Sequence, residues 1–175
     1  GAIVARVQPM KLAALEALYD GEEGAALTAV GVLRPEAERS NNEDAFYFKI
    51  AIPKMLSLMS LRDADAFVPG INDLLKGGYP LKDGTTALSA QEKIEKGKTA
   101  IGAFSAYRAA KAAGNDAEAQ VAAKVLKENV AYFGYGYIKD VNELVPNVPL
   151  TFYMFRVMVI LGGYFILFFI VVLVL

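Results

Sequence analysis

The sequence predicts a mainly α membrane protein fragment, in which an α+β loop domain is followed by one transmembrane helix. Residues 157–175 contain no charge, Asn, Gln or Pro. A helix of that length spans roughly 28 Å, close to the ~30 Å hydrocarbon core of a bilayer. Residues 1–148 mix strand and helix patterns, with a small antiparallel β-hairpin and a helical hairpin. We therefore expect a loop domain at residues 1–148, a spanning helix at 149–175, and a longer parent protein.

The composition excludes several classes of protein. The 175 residues include no Cys and no His, so a disulfide scaffold, a thiolate metal cluster and a histidine base are all ruled out. The formal net charge is -1, with 18 Lys and Arg residues against 19 Asp and Glu residues. No basic field is available for phosphate backbones, and we expect no nucleic-acid partner.

The first predicted helix begins with Pro9 in its first turn and ends at Asp20 and Gly21. Its side chains are apolar nearly all round, apart from Lys11 and Glu16. We expect such a helix to be buried or held against a membrane surface.

Lys11 and Glu16 are candidate chemical residues of this helix. Five residues correspond to about 140° of helical rotation, so the two charges do not pair with each other and need other partners. Burial raises the pKa of a carboxyl group, which suits it to accept a proton near neutral pH. The alternative is two solvated side chains on a surface helix.

Two segments have the pattern of paired β-strands. Residues 45–52 alternate between two faces, and residues 27–33 are the expected antiparallel partner, joined through a polar loop at 34–44. Gly31 weakens the second assignment, because glycine has no side chain to pack. One strand face is expected to carry Phe46, Phe48, Ile50 and Ile52.

Helical patterns follow the hairpin. Residues 54–61 and 69–77 predict short helices, the second beginning at Pro69, before a turn-rich break at 77–86. Ser89 and Glu92 form a capping box for a long helix that ends at Gly114. A second helix follows, capped by Asn115 or Asp116. The simplest interpretation of the two apolar seams is core packing: Ile94, Gly97, Ile101 and Phe104 in the first, and Ala122, Leu126, Val130 and Phe133 in the second.

Arg156 and Met158 lie where the apolar span begins, after Pro149 in its first turn. Arg there is usually an interfacial anchor, and Met usually fills a gap. The alternative is a haem site, in which the Met158 thioether ligates iron and Arg156 balances the charge of the haem. The two residues are about 200° apart on a helix, so spacing alone leaves both interpretations open.

Four segments resemble one protein family, in order along the chain. Residues 8–16 (QPMKLAALE) resemble the QPxKxAAxE segment of the quinol-binding periplasmic loop in subunit I of cytochrome bd quinol oxidases. The later segments resemble landmarks of the same loop and of the next transmembrane helix. They are FYFKIAIP at 46–53, FGYGY at 133–137 and VPLTFYMFRVM at 148–158.

The resemblance implies roles for four residues. Lys11 and Glu16 would bind and oxidise quinol, with Glu16 accepting a hydroxyl proton and Lys11 orienting the quinone oxygen. Met158 would be the axial iron ligand of a low-spin haem b, and Arg156 the basic residue beside that haem. The family also implies a high-spin haem b and a haem d elsewhere in the complex, where oxygen is reduced to water.

The resemblance also implies a location and partners. The parent would be a multi-pass protein of the bacterial cytoplasmic (inner) membrane, with this loop on the periplasmic side. Its partners would be the remainder of subunit I, subunit II, the lipid bilayer and quinol. Because the chain has no His, the family's haem-ligating histidines have no counterpart in it, and we expect this middle third of the subunit to be inactive alone.

Two other functions compete with the oxidase hypothesis. One is a membrane-anchored extracytoplasmic binding or scaffolding domain without a redox role. The other is a soluble enzyme with a membrane anchor, which no nucleophile–base pair or phosphate loop supports. The oxidase hypothesis requires further spans carrying His in the parent protein, whereas the scaffolding hypothesis does not.

Overall fold

The computed structural model describes residues 2–36, 39–81 and 84–175. Residues 37–38 of the predicted polar loop, 82–83 of the turn-rich break and Gly1 lie outside the described residues. The chain forms two compact units, one of residues 1–73 and 145–175 and the other of residues 74–144.

The described residues are mainly helical, as predicted, with small antiparallel sheets. In chain order the elements are α1 (Ala2–Val7), α2 (Pro9–Glu16), β1 (Glu22–Glu23), β2 (Leu27–Leu33), β3 (Phe46–Ile52), α3 (Met55–Leu61), β4 (Phe67–Val68), α4 (Ile71–Lys76), α5 (Ala90–Ala112), α6 (Asp116–Asn129), 3-10 helices at Val130–Tyr137 and Val141–Leu144, and α7 (Val148–Val174). The sequence did not predict α1 or the short antiparallel pair of β1 with β4.

Helix α2 begins at Pro9 as predicted but ends four residues before Asp20, so the predicted end was wrong. Ala17 adopts a left-handed conformation, with φ 49° and ψ 41°. The next amide, Leu18 N–H, donates to the Ala13 carbonyl at 2.9 Å, which closes the helix end. This early stop leaves Glu16 as the last helical residue.

The chain after α2 is held by one asparagine. Asn42 Oδ1 accepts from the backbone N–H groups of Tyr19 and Asp20 at 2.8 and 3.0 Å. Asn42 Nδ2 donates to the Asp20 carbonyl and to Glu22 Oε1, both at 2.7 Å. Nearby, a small core forms from Leu18, Ala25, Leu56 and Val68. The turn after Glu16 is thus anchored on both its polar and its apolar sides.

The predicted hairpin is confirmed, because β2 pairs antiparallel with β3. The predicted strand face is wrong at one residue. Leu33 pairs with Phe46, but Val32 pairs with Phe48, so a bulge places one extra residue in β3. Phe46 and Leu33 are buried, whereas Phe48, Ile50 and Ile52 are exposed. The bulge therefore separates Phe46 from the other three apolar side chains.

Gly31 is accommodated within β2 by close ring packing. A Cβ at this position would lie 2.8 Å from Phe46 Cε1 and 3.4 Å from Phe152 Cζ. Separations under 3.0 Å require a neighbour to shift. Because Gly31 has no side chain, the rings of Phe46 and Phe152 can pack directly against its backbone.

The second unit contains the predicted helical hairpin. Ser89 and Glu92 form the predicted capping box of α5, and Asn115 Oδ1 caps α6 by accepting from Glu118 N–H at 3.3 Å. The second helix was predicted to include Val130 and Phe133, but α6 ends at Asn129. Both residues lie in the following 3-10 helix. This 3-10 segment packs against α5 through glycines, and a Cβ on Gly97 would lie 2.5 Å from Tyr132 O.

Gly97→Ala is expected to loosen this second unit. The added methyl collides with backbone atoms, which costs about 1–3 kcal/mol. Proteolytic cleavage within residues 74–144 of the assembled protein should accelerate by about tenfold or more. Gly102→Ala is the matched control in the same helix, because its Cβ would have nothing within 4 Å. Equal cleavage rates in the two variants would contradict the packing argument.

Helix α7 begins as predicted, with Pro149 in its first turn and Asn147 as the N-cap, whose Oδ1 accepts from Leu150 N–H at 3.0 Å. Within the described residues, it is the one helix long and apolar enough to cross a membrane. Its side chains from 157 to 175 are exposed, whereas Phe152 and Arg156 are buried. The first two turns of α7 thus pack on the rest of the unit, and the remainder presents apolar surface.

Candidate functional site

The predicted site residue Glu16 is buried at the end of α2, with 4% of its surface exposed. Its Oε2 atom accepts a 3.1 Å hydrogen bond from the backbone N–H of Thr28 at the start of β2. The interpretation of Glu16 as a solvated surface residue is therefore wrong. The early end of α2 and the start of the hairpin position the carboxylate together.

The partner of Glu16 is Arg156, which belongs to the other candidate group predicted from the sequence. Arg156 Nη2 lies 2.8 Å from Glu16 Oε2 and donates a second 2.8 Å bond to the Thr28 carbonyl. Arg156 Nη1 donates to the Leu15 carbonyl. The side chains of Arg156 and Glu16 are 10% and 3% exposed. The structure thus joins α2, β2 and α7 through one buried ion pair.

Two opposing effects act on the Glu16 carboxyl group. Burial is the larger one and raises the pKa of Glu16 above its usual value. The charge of Arg156 and the hydrogen bonds from Thr28 N–H and Arg156 oppose that rise. The result is a carboxylate that is a stronger base than a solvated one but still has a counter-charge.

Two aromatic rings lie beside the Arg156 guanidinium. Arg156 Cζ lies 3.8 Å from the ring centroid of Phe152 and 5.4 Å from that of Phe155. Phe152 is fully buried. Both distances are within the range of cation–π attraction.

The other two predicted site residues are exposed. Lys11 lies on α2, with its side chain in solvent. Met158 lies two residues after Arg156 on α7 and is 61% exposed. About 200° of rotation separates Met158 from Arg156, so the thioether is on a different side of the helix from the ion pair. The structure therefore brings Glu16 and Arg156 together, but neither Lys11 nor Met158 joins that pair.

Sequence reasoning missed the residues that hold the pair. Thr28 contributes backbone atoms, which no side-chain pattern identifies. Phe152 lies four residues before Arg156, and that helical spacing was the available indication that the two side chains share a face. The pairing of Glu16 with Arg156 crosses 140 residues of sequence.

Two side chains of α7 are of kinds that can hold a haem, although they lie on different sides of the helix. Arg156 Nε is buried without a partner among the described residues, so it remains a donor for an anionic group. The exposed Met158 thioether is a known type of axial haem ligand. The described residues hold no cluster of three or more His, Cys, Asp or Glu, so the chain offers at most part of such a site.

A separate cavity lies in the second unit, between α5 and α6. Its volume is about 680 Å³, and its lining includes Ala103, Ala106, Ala110 and Val121. None of the four predicted site residues lines it. Its lining is apolar apart from Thr99 and Glu118.

The fold and site define the class of protein. A compact α+β region is joined to one helix of membrane-spanning length and apolarity, and a carboxylate–guanidinium pair is buried where they meet. This is the arrangement of a membrane protein with a polar site beside a spanning helix.

Comparison with known proteins identifies the family. The model of the cytochrome bd terminal oxidase subunit I family matches residues 1–175, and the chain belongs to this family. The chain is also similar to the cytochrome bd-II ubiquinol oxidase subunit 1 of Escherichia coli (strain K12), with 28% identity over 161 residues. That match covers 91% of this chain and 30% of the relative. The chain thus spans about a third of the length of that relative.

Proposed function

We propose that this chain is the quinol-oxidising part of subunit I of a respiratory terminal oxidase of the cytochrome bd type. The family match supports this assignment over a scaffolding domain without a redox role. The observation that carries the proposal is the buried pair of Glu16 and Arg156. Buried groups with a raised pKa and a specific charged partner are characteristic of functional sites.

Glu16 is the proton acceptor in this proposal. Oxidation of a quinol releases two protons and two electrons, so a base must stand beside a hydroxyl group. Among the described residues, the hydrogen bonds to the carboxylate converge on Oε2, and we assign proton acceptance to Oε1. The raised pKa of Glu16 strengthens it as a base near neutral pH. Its proton then leaves to the outer face of the membrane.

Arg156 and Lys11 support the reaction electrostatically. Arg156 keeps the Glu16 carboxylate ionised despite its burial, since an adjacent cation favours the charged form. Lys11, exposed on the same helix as Glu16, orients the second quinol oxygen through its ammonium group.

Cofactors and partners complete the proposal. Met158 would provide a thioether ligand to the iron of a low-spin haem b and Arg156 a positive charge beside it, and the haem when bound supplies a one-electron acceptor. Residues outside this chain would provide the remaining ligands, the high-spin haem b and haem d. The partners are the rest of subunit I, subunit II and the lipid of a bacterial cytoplasmic membrane, with residues 1–148 on its periplasmic side.

Glu16→Gln tests the proposal in the assembled oxidase. Glutamine keeps the shape and can still accept hydrogen bonds from Thr28 and Arg156, but it is not a proton acceptor at neutral pH. Turnover with quinol should fall by about 10²-fold or more, because general-base catalysis contributes that much. The haem spectrum should remain unchanged. Glu23→Gln, at an exposed glutamate of β1, is the control and should retain wild-type turnover. Wild-type turnover of Glu16→Gln would refute the proposed role.

A further inference from the structure

We propose that Phe152 is a positioning residue for quinol oxidation, because its ring holds the Arg156 guanidinium against the Glu16 carboxylate. The inference rests on the proposed function, since it concerns the group assigned to accept the quinol proton. Phe152 lies on α7, whereas Lys11 and Glu16 lie on α2.

The ring and the guanidinium are arranged for a strong contact. Phe152 and Arg156 are four residues apart on α7 and therefore share one face of the helix. Arg156 Cζ is 3.8 Å from the ring centroid, and the ring is fully buried. Desolvation strengthens cation–π attraction. The contact uses the ring face, so the guanidinium nitrogens remain available for Glu16 and for backbone carbonyls.

The Phe152 ring is itself fixed by its neighbours. The Phe46 ring lies 5.5 Å away at 60°, and the Tyr153 ring lies 5.3 Å away at 86°. The Tyr153 hydroxyl accepts a 3.0 Å hydrogen bond from Leu33 N–H, which ties this part of α7 to β2. The missing side chain of Gly31 provides the space for both phenylalanine rings. The hairpin thus acts through Phe152 to hold Arg156 in place.

Holding Arg156 in place affects the basicity of Glu16. The groups that face the carboxylate are the guanidinium of Arg156 from α7 and the Thr28 N–H from β2. Without the Phe152 ring, the guanidinium can move away from the carboxylate. Its charge then opposes the effect of burial on the Glu16 pKa less strongly. The pKa of Glu16 then rises, and a higher pH is needed to ionise it. Activity that requires the ionised carboxylate should therefore decline at a correspondingly higher pH as the solution is made more acidic.

Phe152→Leu in the assembled, haem-loaded oxidase tests this inference. The acid limb of kcat/KM for quinol should move upward by about one pH unit, given the usual strength of a desolvated cation–π contact. The infrared carboxyl band that Glu16→Gln removes should titrate with the same shift. If the leucine variant does not assemble, Phe152→Met carries the same expectation, because it fills volume without an aromatic face.

Phe165→Leu is the matched control. It makes the same substitution at a later position of α7, where the phenylalanine is 51% exposed and its ring contacts Tyr164. Its acid limb should match that of the wild type. Equal shifts in both variants, or no shift at Phe152, would overturn the positioning role. If Glu16→Gln itself keeps the wild-type acid limb, the proposed function fails as well, so the two failures are distinguishable.

Discussion

Arg156→Met is expected to destabilise the oxidase by about 3–5 kcal/mol and to abolish quinol turnover. The substitution leaves the Glu16 carboxylate buried at 4% exposure without its counter-charge. It also leaves the Thr28 and Leu15 carbonyls without their guanidinium donor. Glu16 would become protonated at higher pH and could no longer serve as the base. Thermal melting of the purified complex and a quinol oxidation assay measure the two effects.

The double variant Glu16→Leu, Arg156→Met separates stability from chemistry. Replacing both members of a buried ion pair by apolar residues is often neutral or stabilising. Its melting temperature should therefore return close to that of the wild type, while turnover stays lost. Arg108→Met, at an exposed arginine of α5, is the control and should change stability by no more than about 0.5 kcal/mol. If Arg156→Met melts like this control, the ion pair does not stabilise the fold.

The Glu16–Arg156 pair places two opposite charges in the interior of the fold. Taking both groups out of water costs several kcal/mol each, and their attraction does not reliably repay it. Stability alone is therefore a weak reason for the pair. A base that must remain ionised inside a dry site provides a stronger reason, because it needs a cation within hydrogen-bond distance.

The elements predicted correctly are those with local determinants. Ser89 and Glu92 lie within one helical turn and cap α5 by themselves, and Asn115 does the same for α6. The alternating residues of 45–52 and the apolar run of 27–33 indicate two strands joined by a short loop, and these pair as β2 and β3. The uncharged run after Arg156 likewise specifies the long apolar helix α7, which is long enough to cross a membrane.

The features missed depend on contacts between distant segments. Ala17 takes a left-handed conformation, although nothing in its side chain favours one, so the end of α2 was misplaced. The bulge beside Phe46 reversed the face of that residue, and ring packing around Gly31 is a tertiary effect. Glu16 and Arg156 were each identified as candidates, but spacing carries no information about a pair between α2 and α7.

The structure brings together only two of the four predicted site residues. Glu16 and Arg156 meet in one buried pair, which gives their predicted chemistry a geometric basis. Lys11 and Met158 are exposed, so their roles depend on groups that approach from outside this chain. In the proposed function, that group would be the quinol for Lys11 and a haem for Met158.

Met158→Leu in the parent oxidase is expected to remove the low-spin haem b signal from the reduced-minus-oxidised spectrum. Leucine matches the volume of methionine but has no donor atom, so a thioether ligand to the iron would be lost while packing is kept. Met154→Leu is the matched control, because Met154 lies one turn earlier on α7 and is 55% exposed, close to the 61% of Met158. Its spectrum should be that of the wild type. An unchanged spectrum in Met158→Leu would remove this thioether from the ligand set, leaving Glu16 and Arg156 to be tested by turnover and stability alone.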